Sequence, residues 1–308
     1  MAAPNRTSSI FILLGIPGLE GAHGWISIPF CSAYILILLG NCLLLAVIKM
    51  EPSLHEPMYI FLSMLSLNHL VVSSIAVPRI LCIIWFKYWD TRTETCLAQM
   101  YFFYSLSAME SGFIVAMGFD RYVAICNPLR HSAILNSRTI ARVGLGVVLR
   151  GFILLVPYPF MVKQLPYCLT TISETYCDFV ARLKIACDDS PLMKVYGPTM
   201  AFLTGGLDVF LITLSYILIL QAVFKLPSKE ARLMTLSTCG SHFCLLVISY
   251  SSGLFSYLSH FLGSSVPPHI HITLGNVYLL VPPILNPIIY GVRTKKIRES
   301  VFRIFSGK

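Results

Sequence analysis

Long apolar stretches alternate with short polar ones along the whole chain of 308 residues. Seven of these stretches hold about 20 residues or more, enough for a helix to cross roughly 30 Å of membrane hydrocarbon. They are called spans 1 to 7 and cover residues 26–48, 58–86, 96–119, 143–162, 195–224, 233–262 and 273–292. A β-barrel would show short alternating segments instead. The pattern therefore predicts an all-α membrane protein, a bundle of seven transmembrane helices in a single domain, 1–308.

Charge is scarce and unevenly placed. Charged residues make up 12% of the chain, about half of the roughly 25% typical of soluble domains. The net charge is +9, and most Lys and Arg residues lie in connections on the same side as the C-terminus. Because basic connections face the cytosol, we predict an extracellular tail at 1–24 and a long extracellular loop at 163–190. A cytosolic amphipathic helix or tail follows at 293–308, and this basic face suits membrane lipid rather than nucleic acid.

Polar features of the predicted outer side agree with this orientation. Asn5, in the sequence NRT of the tail, is a candidate glycosylation site. Four of the ten cysteines are also on this side, where disulfides persist: Cys96, Cys168, Cys177 and Cys187. Four cysteines allow three pairings. A zinc site is the alternative, but the spacing is not C-x-x-C, so no metal is predicted.

Two adjacent charges interrupt the end of span 3, in the sequence MGFDRYVAIC at 117–126. Asp120 follows Cys96 by about 36 Å of helix, so the pair lies at the cytosolic end rather than in mid-membrane. Asp120 can neutralise Arg121 in one conformation and release it to a partner in another, as a switch requires. An ordinary pair of charges at the membrane surface is equally compatible with the spacing.

Three more charges lie well inside spans 3, 4 and 5. Charges within a membrane usually face the bundle interior and pair with one another. We therefore expect Arg150 to bridge Glu110 and Asp208 and to hold the three helices together. The alternative is that Arg150 binds an anionic ligand directly.

A small-molecule pocket is expected to be mostly apolar with a few polar anchors. Candidates on span 3, below the outer surface, are Phe103, Tyr104, Ser107 and Ala108. Candidates on span 6 repeat at helical spacing and share one face, with Tyr250 at the pocket floor: Tyr250, Leu254, Tyr257 and Phe261. The alternative for each aromatic residue is simple packing within the bundle.

Four longer strings carry a family resemblance: LHEPMY at 54–59, MGFDRYVAIC at 117–126, STCGSH at 237–242 and PPILNPIIYG at 282–291. DRY and NPIIY resemble the third-helix and seventh-helix motifs of rhodopsin-like G-protein-coupled receptors. Together the strings resemble those of olfactory receptors, and LLGIPGLE with the long outer loop resembles the class I, or fish-like, group.

This resemblance implies a function and a set of roles. It implies an odorant receptor that activates a stimulatory olfactory-type G protein and raises cyclic AMP, without a cofactor, in the plasma membrane of sensory cilia. It also implies a Cys96–Cys177 disulfide, which leaves Cys168 with Cys187. The implied activation switch comprises Asp120, Arg121, Tyr122, Tyr216, Tyr250, Asn286, Pro287 and Tyr290.

The ligand class is a separate expectation. Acid-sensing class I receptors resemble one another in a basic residue near the outer end of helix six and often a His on helix three. Phe261 and Tyr104 stand at those positions here, so we predict a neutral alcohol, ester or ketone. A carboxylic acid remains the alternative, with His260, His269, His271, Arg182 and Lys184 as nearby cations.

Three other functions fit the sequence less well. An enzyme is not predicted, because no H-E-x-x-H, G-x-S-x-G or paired carboxylates of one pocket occur in the sequence. A channel or transporter would use the charges of spans 3 to 5, but the spans show no inverted repeat. A non-olfactory receptor of the same fold, for a small metabolite or a carboxylic acid, is the alternative function.

Overall fold

Helices account for most of the computed structural model, which describes residues 10–16, 21, 23–86, 90–187, 190–262 and 267–306. The helices are α1 (His23–Met50), α2 (Pro57–Phe86), α3 (Thr93–Cys126), α4 (His131–Ile134), α5 (Ser137–Leu155), α6 (Pro157–Lys163), α7 (Phe179–Lys184), α8 (Pro191–Ala201), α9 (Leu207–Phe224), α10 (Lys229–Leu262), α11 (Pro268–Arg293) and α12 (Lys295–Ser306). Three short strands are β1 (Ile10–Leu13), β2 (Asp90–Arg92) and β3 (Thr171–Ile172).

The seven predicted spans correspond to seven transmembrane helices. Six helical stretches of the described chain are long and apolar enough to cross a membrane, and α10 adds the apolar stretch Cys239–Phe255. Span 4 is α5 with α6, and span 5 is α8 with α9. α3 runs through the centre and packs on α2, α5 and α9, while α10 packs mainly on α11. The expected seven-helix bundle is confirmed.

Two of these spans are not regular α-helices along their whole length. Span 4 passes from α5 to α6 at Val156, directly before Pro157, because a proline cannot donate the backbone hydrogen bond that continues a helix. Span 5 contains a π-helical turn at Phe202–Gly206, a local widening that is frequent at functional sites. Asp208 enters the bundle directly after this turn.

The end of the bundle that carries β1 is closed by a small sheet and two disulfides, and we call it the disulfide end. β1 pairs antiparallel with β2 and parallel with β3, so one strand joins two distant connections. The disulfides are Cys96–Cys177 and Cys168–Cys187. Asn5 lies outside the described residues. The sequence pattern did not predict β1, since a four-residue strand depends on partners far along the chain.

The opposite end carries α12, and we call it the α12 end. Lys296 contacts Glu56 at 2.8 Å and Arg303 contacts Glu51 at 3.2 Å, so α12 is joined to the connection between α1 and α2. Ile297 is buried against the bundle. The predicted short amphipathic helix at 293–308 is therefore confirmed over Lys295–Ser306.

Candidate functional site

A short loop segment, 174–179, lies inside the disulfide end rather than over it, and we call it the roof. Each of its six residues is at most 5% exposed. The Cys96–Cys177 disulfide fixes its middle to the start of α3. Gln99, one turn further along α3, accepts a hydrogen bond from the backbone N–H of Cys177 at 3.1 Å. The loop is therefore held as a plug between the helices.

The roof packs on the α3 side chains that the sequence singled out. The Phe103 ring lies 5.1 Å from the Tyr176 ring, centre to centre. The Tyr104 hydroxyl donates a 2.6 Å hydrogen bond to the Asp178 carboxylate. This bond gives a partner to a buried carboxylate, which would otherwise be costly to hold away from water. The interior surface beneath the roof is consequently aromatic.

The roof is fastened to α11 as well. The Thr175 hydroxyl donates to the side-chain oxygen of Asn276 at 2.9 Å, and the Glu174 carboxylate lies 3.3 Å from the His271 ring. Burial raises the pKa of Glu174, while the bond to His271 acts in the opposite direction. Burial also raises the pKa of Tyr176 well above its ordinary value. The roof thus closes the bundle on two sides.

Of the other predicted pocket residues, two lie in the interior, one is exposed, and two have side chains that the structure does not describe. Ser107 lies beside the Tyr278 hydroxyl of α11, and Ala108 is buried. Leu254 differs from the prediction, because it is 56% exposed. Its neighbour Gly253 is the residue that faces Tyr278, and one residue further along a helix turns the side chain by about 100°. The side chains of Tyr257 and Phe261 lie outside the described residues.

The predicted three-way charge bridge is wrong in one of its two arms. Arg150 contacts both oxygens of Asp208, at 2.7 and 2.5 Å, and donates to the backbone oxygen of Ala108 at 3.2 Å. Glu110 is two residues beyond Ala108, which places it about 200° around α3. It instead meets Ser249 of α10 at 3.3 Å.

The predicted switch residues of α3 meet at the α12 end. Asp120 is fully buried, and Arg121 contacts one of its carboxylate oxygens through Nη2 at 2.8 Å and Nε at 3.0 Å. His131 of α4 contacts the other oxygen at 2.9 Å. Tyr122 packs beside a buried cluster of α9 and α10 that includes Cys239. The buried carboxylate therefore has two basic neighbours.

The other switch candidates come from α9, α10 and α11. The Tyr216 hydroxyl is hydrogen-bonded to His242 at 2.7 Å, and the Tyr250 hydroxyl to Ser111 at 2.7 Å. Both side-chain atoms of Asn286 and the hydroxyl of Tyr290 are buried without a hydrogen-bond partner among the described residues. A Cβ atom on Gly40 would lie 2.8 Å from the ring of Pro287, so α1 and α11 approach closely there.

Comparisons with known proteins give the family. Residues 30–308 match the family model described as olfactory receptor. Olfactory receptor 52P1 of Homo sapiens is 48% identical over 311 residues, covering 100% of this chain and 97% of that protein. Olfactory receptor 52N4 of Homo sapiens is 47% identical over 312 residues, again covering 100% and 97%. The chain belongs to the olfactory receptor family.

The receptor also shares the fold of a solved structure. Squid rhodopsin matches with a TM-score of 0.77 at 17% identity, over 93% of this chain and 86% of that one. The predicted family and rhodopsin-like fold are thereby confirmed. The receptor is a multi-pass protein of the plasma membrane and a signalling receptor, not an enzyme.

Sequence reasoning about this receptor missed several residues that the structure brings into both regions. On the roof side they are Tyr176, Asp178, Asn276 and Tyr278; at the α12 end they are His131 and His242. The first two flank Cys177, so the expected disulfide to α3 already implied that they lie near Tyr104. Nothing in the spacing of the two histidines signals their partners.

One cation considered for the ligand is engaged elsewhere in the receptor. Arg182 of α7 is fully buried, with its guanidinium 4.5 Å above the Phe11 ring and 4.9 Å above the Tyr167 ring. It donates to the Tyr167 hydroxyl at 2.8 Å. Burial lowers the pKa of Arg182, and the aromatic contacts offset part of the cost of that burial. Arg182 therefore anchors β1 to the loop.

Proposed function

We propose that this receptor binds a small, mostly apolar odorant beneath the roof and activates a stimulatory olfactory-type G protein, which raises cyclic AMP. The observation that carries the proposal is the Tyr104–Asp178 hydrogen bond beside the Phe103–Tyr176 ring contact. These two contacts join the aromatic side chains of α3 to the roof, so a ligand that binds against those side chains also contacts or displaces the roof. Mostly apolar surroundings with few polar anchors are typical of small-molecule sites.

A neutral ligand fits the charges near this interior. Two buried carboxylates, Asp178 and Glu174, belong to the roof and would repel an anionic ligand. Arg150 is neutralised by Asp208, and His271 lies against Glu174. Arg182 is enclosed by aromatic rings. An alcohol, ester or ketone carries no charge, so it is not repelled by the two carboxylates and needs no free cation to bind.

The proposed mechanism links the ligand to the α12 end through α10. A ligand shifts an equilibrium only by its differential affinity for two conformations. We propose that the ligand binds more tightly to a conformation in which α10 has moved outward. In that conformation Tyr250 and Tyr216 exchange their present hydrogen-bond partners, Ser111 and His242, for others. Arg121 then leaves Asp120 and contacts the G protein. Arg121→Ala is then expected to abolish the cyclic AMP response at equal surface expression, while odorant affinity persists.

The proposed orientation puts the disulfide end outside the cell and the α12 end in the cytosol. The disulfides support it, because such bonds persist in oxidising compartments. The basic side chains of α12 support it too, since Lys and Arg favour the cytosolic face and anionic membrane lipid. The ciliary membrane of sensory neurons is the site of action that the family suggests.

The first test is a cyclic AMP assay in cells that express the receptor. Carboxylic acids are compared with alcohols, esters and ketones of the same chain length. Neutral compounds are expected to activate at lower concentrations. If acids are more potent, the neutral-ligand proposal fails, and a receptor for a carboxylic acid or small metabolite becomes the better function.

A pair of variants then tests the location. Tyr104→Phe removes the hydroxyl that meets Asp178, and we expect a loss of odorant potency of about tenfold, as for one hydrogen bond to a charged group. Tyr101→Phe is the matched control, because its hydroxyl donates to the backbone oxygen of Phe152 between α3 and α5. Equal effects of the two variants would contradict a site beneath the roof.

A further inference from the structure

Two arginines are exposed on the first turns of α5, and we call them the arginine pair. Arg138 and Arg142 are four residues apart, so they lie on one face of the helix, about 6 Å apart along its axis. α5 begins at the α12 end, because α4 directly before it supplies the His131 that contacts Asp120 there. Neither guanidinium has a hydrogen-bond or ion-pair partner in the part of the chain that the structure describes.

The surroundings of the arginine pair within the protein are electrostatically unfavourable. Like charges four residues apart on a helix repel each other, and a cation near a helix N-terminus is also repelled by the helix dipole. The first turn of α5 contains no acidic residue, and the sequence has no Asp or Glu between Asp120 and Glu174. The pair is therefore complementary to a negatively charged partner outside the chain.

Three carboxylates of the α12 end that could have matched this charge are engaged elsewhere. Asp120 is buried between its two basic neighbours. Glu51 and Glu56 contact basic side chains of α12. Each of these contacts satisfies its carboxylate without either member of the arginine pair.

The face of α5 that carries the arginine pair continues as an apolar stripe. Leu145, Leu149 and Ile153 follow Arg142 at intervals of three and four residues, and all three are exposed. These intervals keep the pair and the stripe within about 80° of the helix circumference. An exposed apolar stripe on a transmembrane helix faces lipid acyl chains. The pair precedes it by one and two turns, so its guanidinium groups reach the level of the lipid headgroups.

The side chains of the pair favour phosphate as the negative group. A guanidinium can donate two parallel hydrogen bonds to one phosphate, which the ammonium of a lysine cannot do. Two such groups about one helical turn apart can contact two phosphates of the same headgroup. A headgroup with several phosphates therefore matches the pair better than one with a single phosphodiester.

We propose that Arg138 and Arg142 bind the headgroup of a phosphoinositide of the cytosolic leaflet, while its acyl chains lie along Leu145, Leu149 and Ile153. The lipid supplies the negative charge that the protein lacks at this position. α5 packs mainly on α3 and α2, whereas the proposed activation uses α10. The site rests on the proposed orientation of the α12 end toward the cytosol, but it requires neither the odorant nor the G protein.

The first experiment measures lipid binding without any odorant. The purified full-length receptor is placed in nanodiscs of phosphatidylcholine with increasing fractions of phosphatidylinositol bisphosphate, and thermal unfolding is followed. The bisphosphate lipid is expected to raise the Tm of the wild type. Arg138→Gln with Arg142→Gln is expected to need roughly tenfold more of this lipid for the same rise. Equal responses of the wild type and this arginine variant would overturn the site.

The matched control removes the same charge from another part of the α12 end. Lys225→Gln with Lys229→Gln changes two exposed lysines at the connection between α9 and α10. This variant is expected to respond to the bisphosphate lipid as the wild type does. A response reduced as much as that of the arginine variant would show that net charge alone attracts the lipid, and the proposed site would be wrong.

Two other probes distinguish the sources of negative charge. Phosphatidylserine at equal total charge tests for a general attraction to an anionic surface, and soluble inositol trisphosphate tests a headgroup without acyl chains. Both are expected to raise the Tm of the wild type less than the bisphosphate lipid does. Phosphatidylserine that acts equally well contradicts a phosphoinositide site. Inositol trisphosphate that acts equally well contradicts a role for the apolar stripe.

Measurements in phosphatidylcholine alone separate lipid binding from folding and from the G protein. The arginine variant is expected to unfold no earlier than the wild type there, because the substitution removes a repulsion between like charges. A lower Tm, or a loss of G-protein binding in this neutral lipid, would assign the arginines to the fold or to the G protein and overturn the lipid site. A receptor without any odorant response would contradict the proposed function and leave these binding results unchanged.

Discussion

His131 and Asp120 are joined across the α12 end, with the His131 ring 2.9 Å from the carboxylate oxygen that Arg121 does not touch. The carboxylate is fully buried. If Arg121 leaves on activation, His131 is the group that still satisfies it. The histidine of α4 therefore belongs to the switch as a positioning residue.

This relationship predicts that His131→Phe weakens activation. The variant leaves a buried carboxylate without a partner once Arg121 has moved, at a cost of roughly 1.5 kcal/mol or more. We expect a loss of about tenfold in odorant potency in the cyclic AMP assay, at matched surface expression. His131→Gln, which retains a donor, is the control. Wild-type potency in the phenylalanine variant would exclude the role.

The contact between Gly275 and Tyr176 predicts a variant and its rescue. A Cβ atom at position 275 would lie 3.0 Å from the Tyr176 hydroxyl, which is tighter than ordinary van der Waals contact. Gly275→Ala is expected to displace the roof and to lower odorant potency several-fold. Removing the hydroxyl as well, in Gly275→Ala with Tyr176→Phe, is expected to restore much of it.

Gly291→Ala provides the control for that experiment, since no atom lies within 4 Å of its Cβ position in the described structure. A double variant no better than Gly275→Ala alone would show that the hydroxyl is not the obstacle.

The crossing of α3 and α5 predicts a loss of stability in Gly151→Ala. The added methyl group would lie 2.9 Å from the backbone oxygen of Ser105 and 2.7 Å from the side chain of Met109. Backbone cannot move aside as a side chain can, so we expect a cost of about 1–3 kcal/mol. Gly146→Ala in the same helix meets no atom within 4 Å and is expected to be neutral or stabilising. Thermal unfolding of the two purified variants distinguishes these outcomes.

The roof predicts a dependence of stability on pH. Burial raises the pKa of Glu174 above its ordinary value of 4.5. A carboxyl of this kind contributes stability that is complete below pH 4.5 and is lost as the pH rises through the higher folded-state pKa. Glu174→Gln resembles the protonated form. It is expected to unfold at a higher temperature than the wild type near pH 7.5, with the difference shrinking toward pH 5.

Glu94→Gln is the control for this measurement. Glu94 lies at the same end of the bundle as Glu174, but its carboxylate is exposed to solvent. A difference between Glu174→Gln and the wild type that stays constant with pH would contradict the assignment.

Local pattern was enough to predict the helices but not all of their contacts. An apolar stretch specifies a transmembrane helix from its own residues, and so the seven spans were predicted with bounds close to those observed. The position of Glu110 around α3 was predictable from helical geometry alone, yet the attraction of three opposite charges suggested a bridge to Arg150. The structure places Glu110 on another face, toward Ser249.

The disulfide end was less predictable for a different reason. Phe103 and Tyr104 were predicted from their depth below the outer surface on span 3. Their partners Tyr176 and Asp178 lie in a loop whose path is set by long-range contacts. Leu254 was assigned to the interior from spacing on α10, but Gly253 takes that direction. A small residue gives no hydrophobic signal, even where it marks a close contact between two helices.

The pairing of β1 with β2 and β3 has a consequence for how the receptor is made. β1 is synthesised first, but β2 follows only after two transmembrane helices and β3 only after four. The leading strand must therefore wait for its first partner until the chain has crossed the membrane twice, and for its second until it has crossed four times. The three-stranded sheet can therefore be complete only after the first four transmembrane helices have been synthesised and inserted.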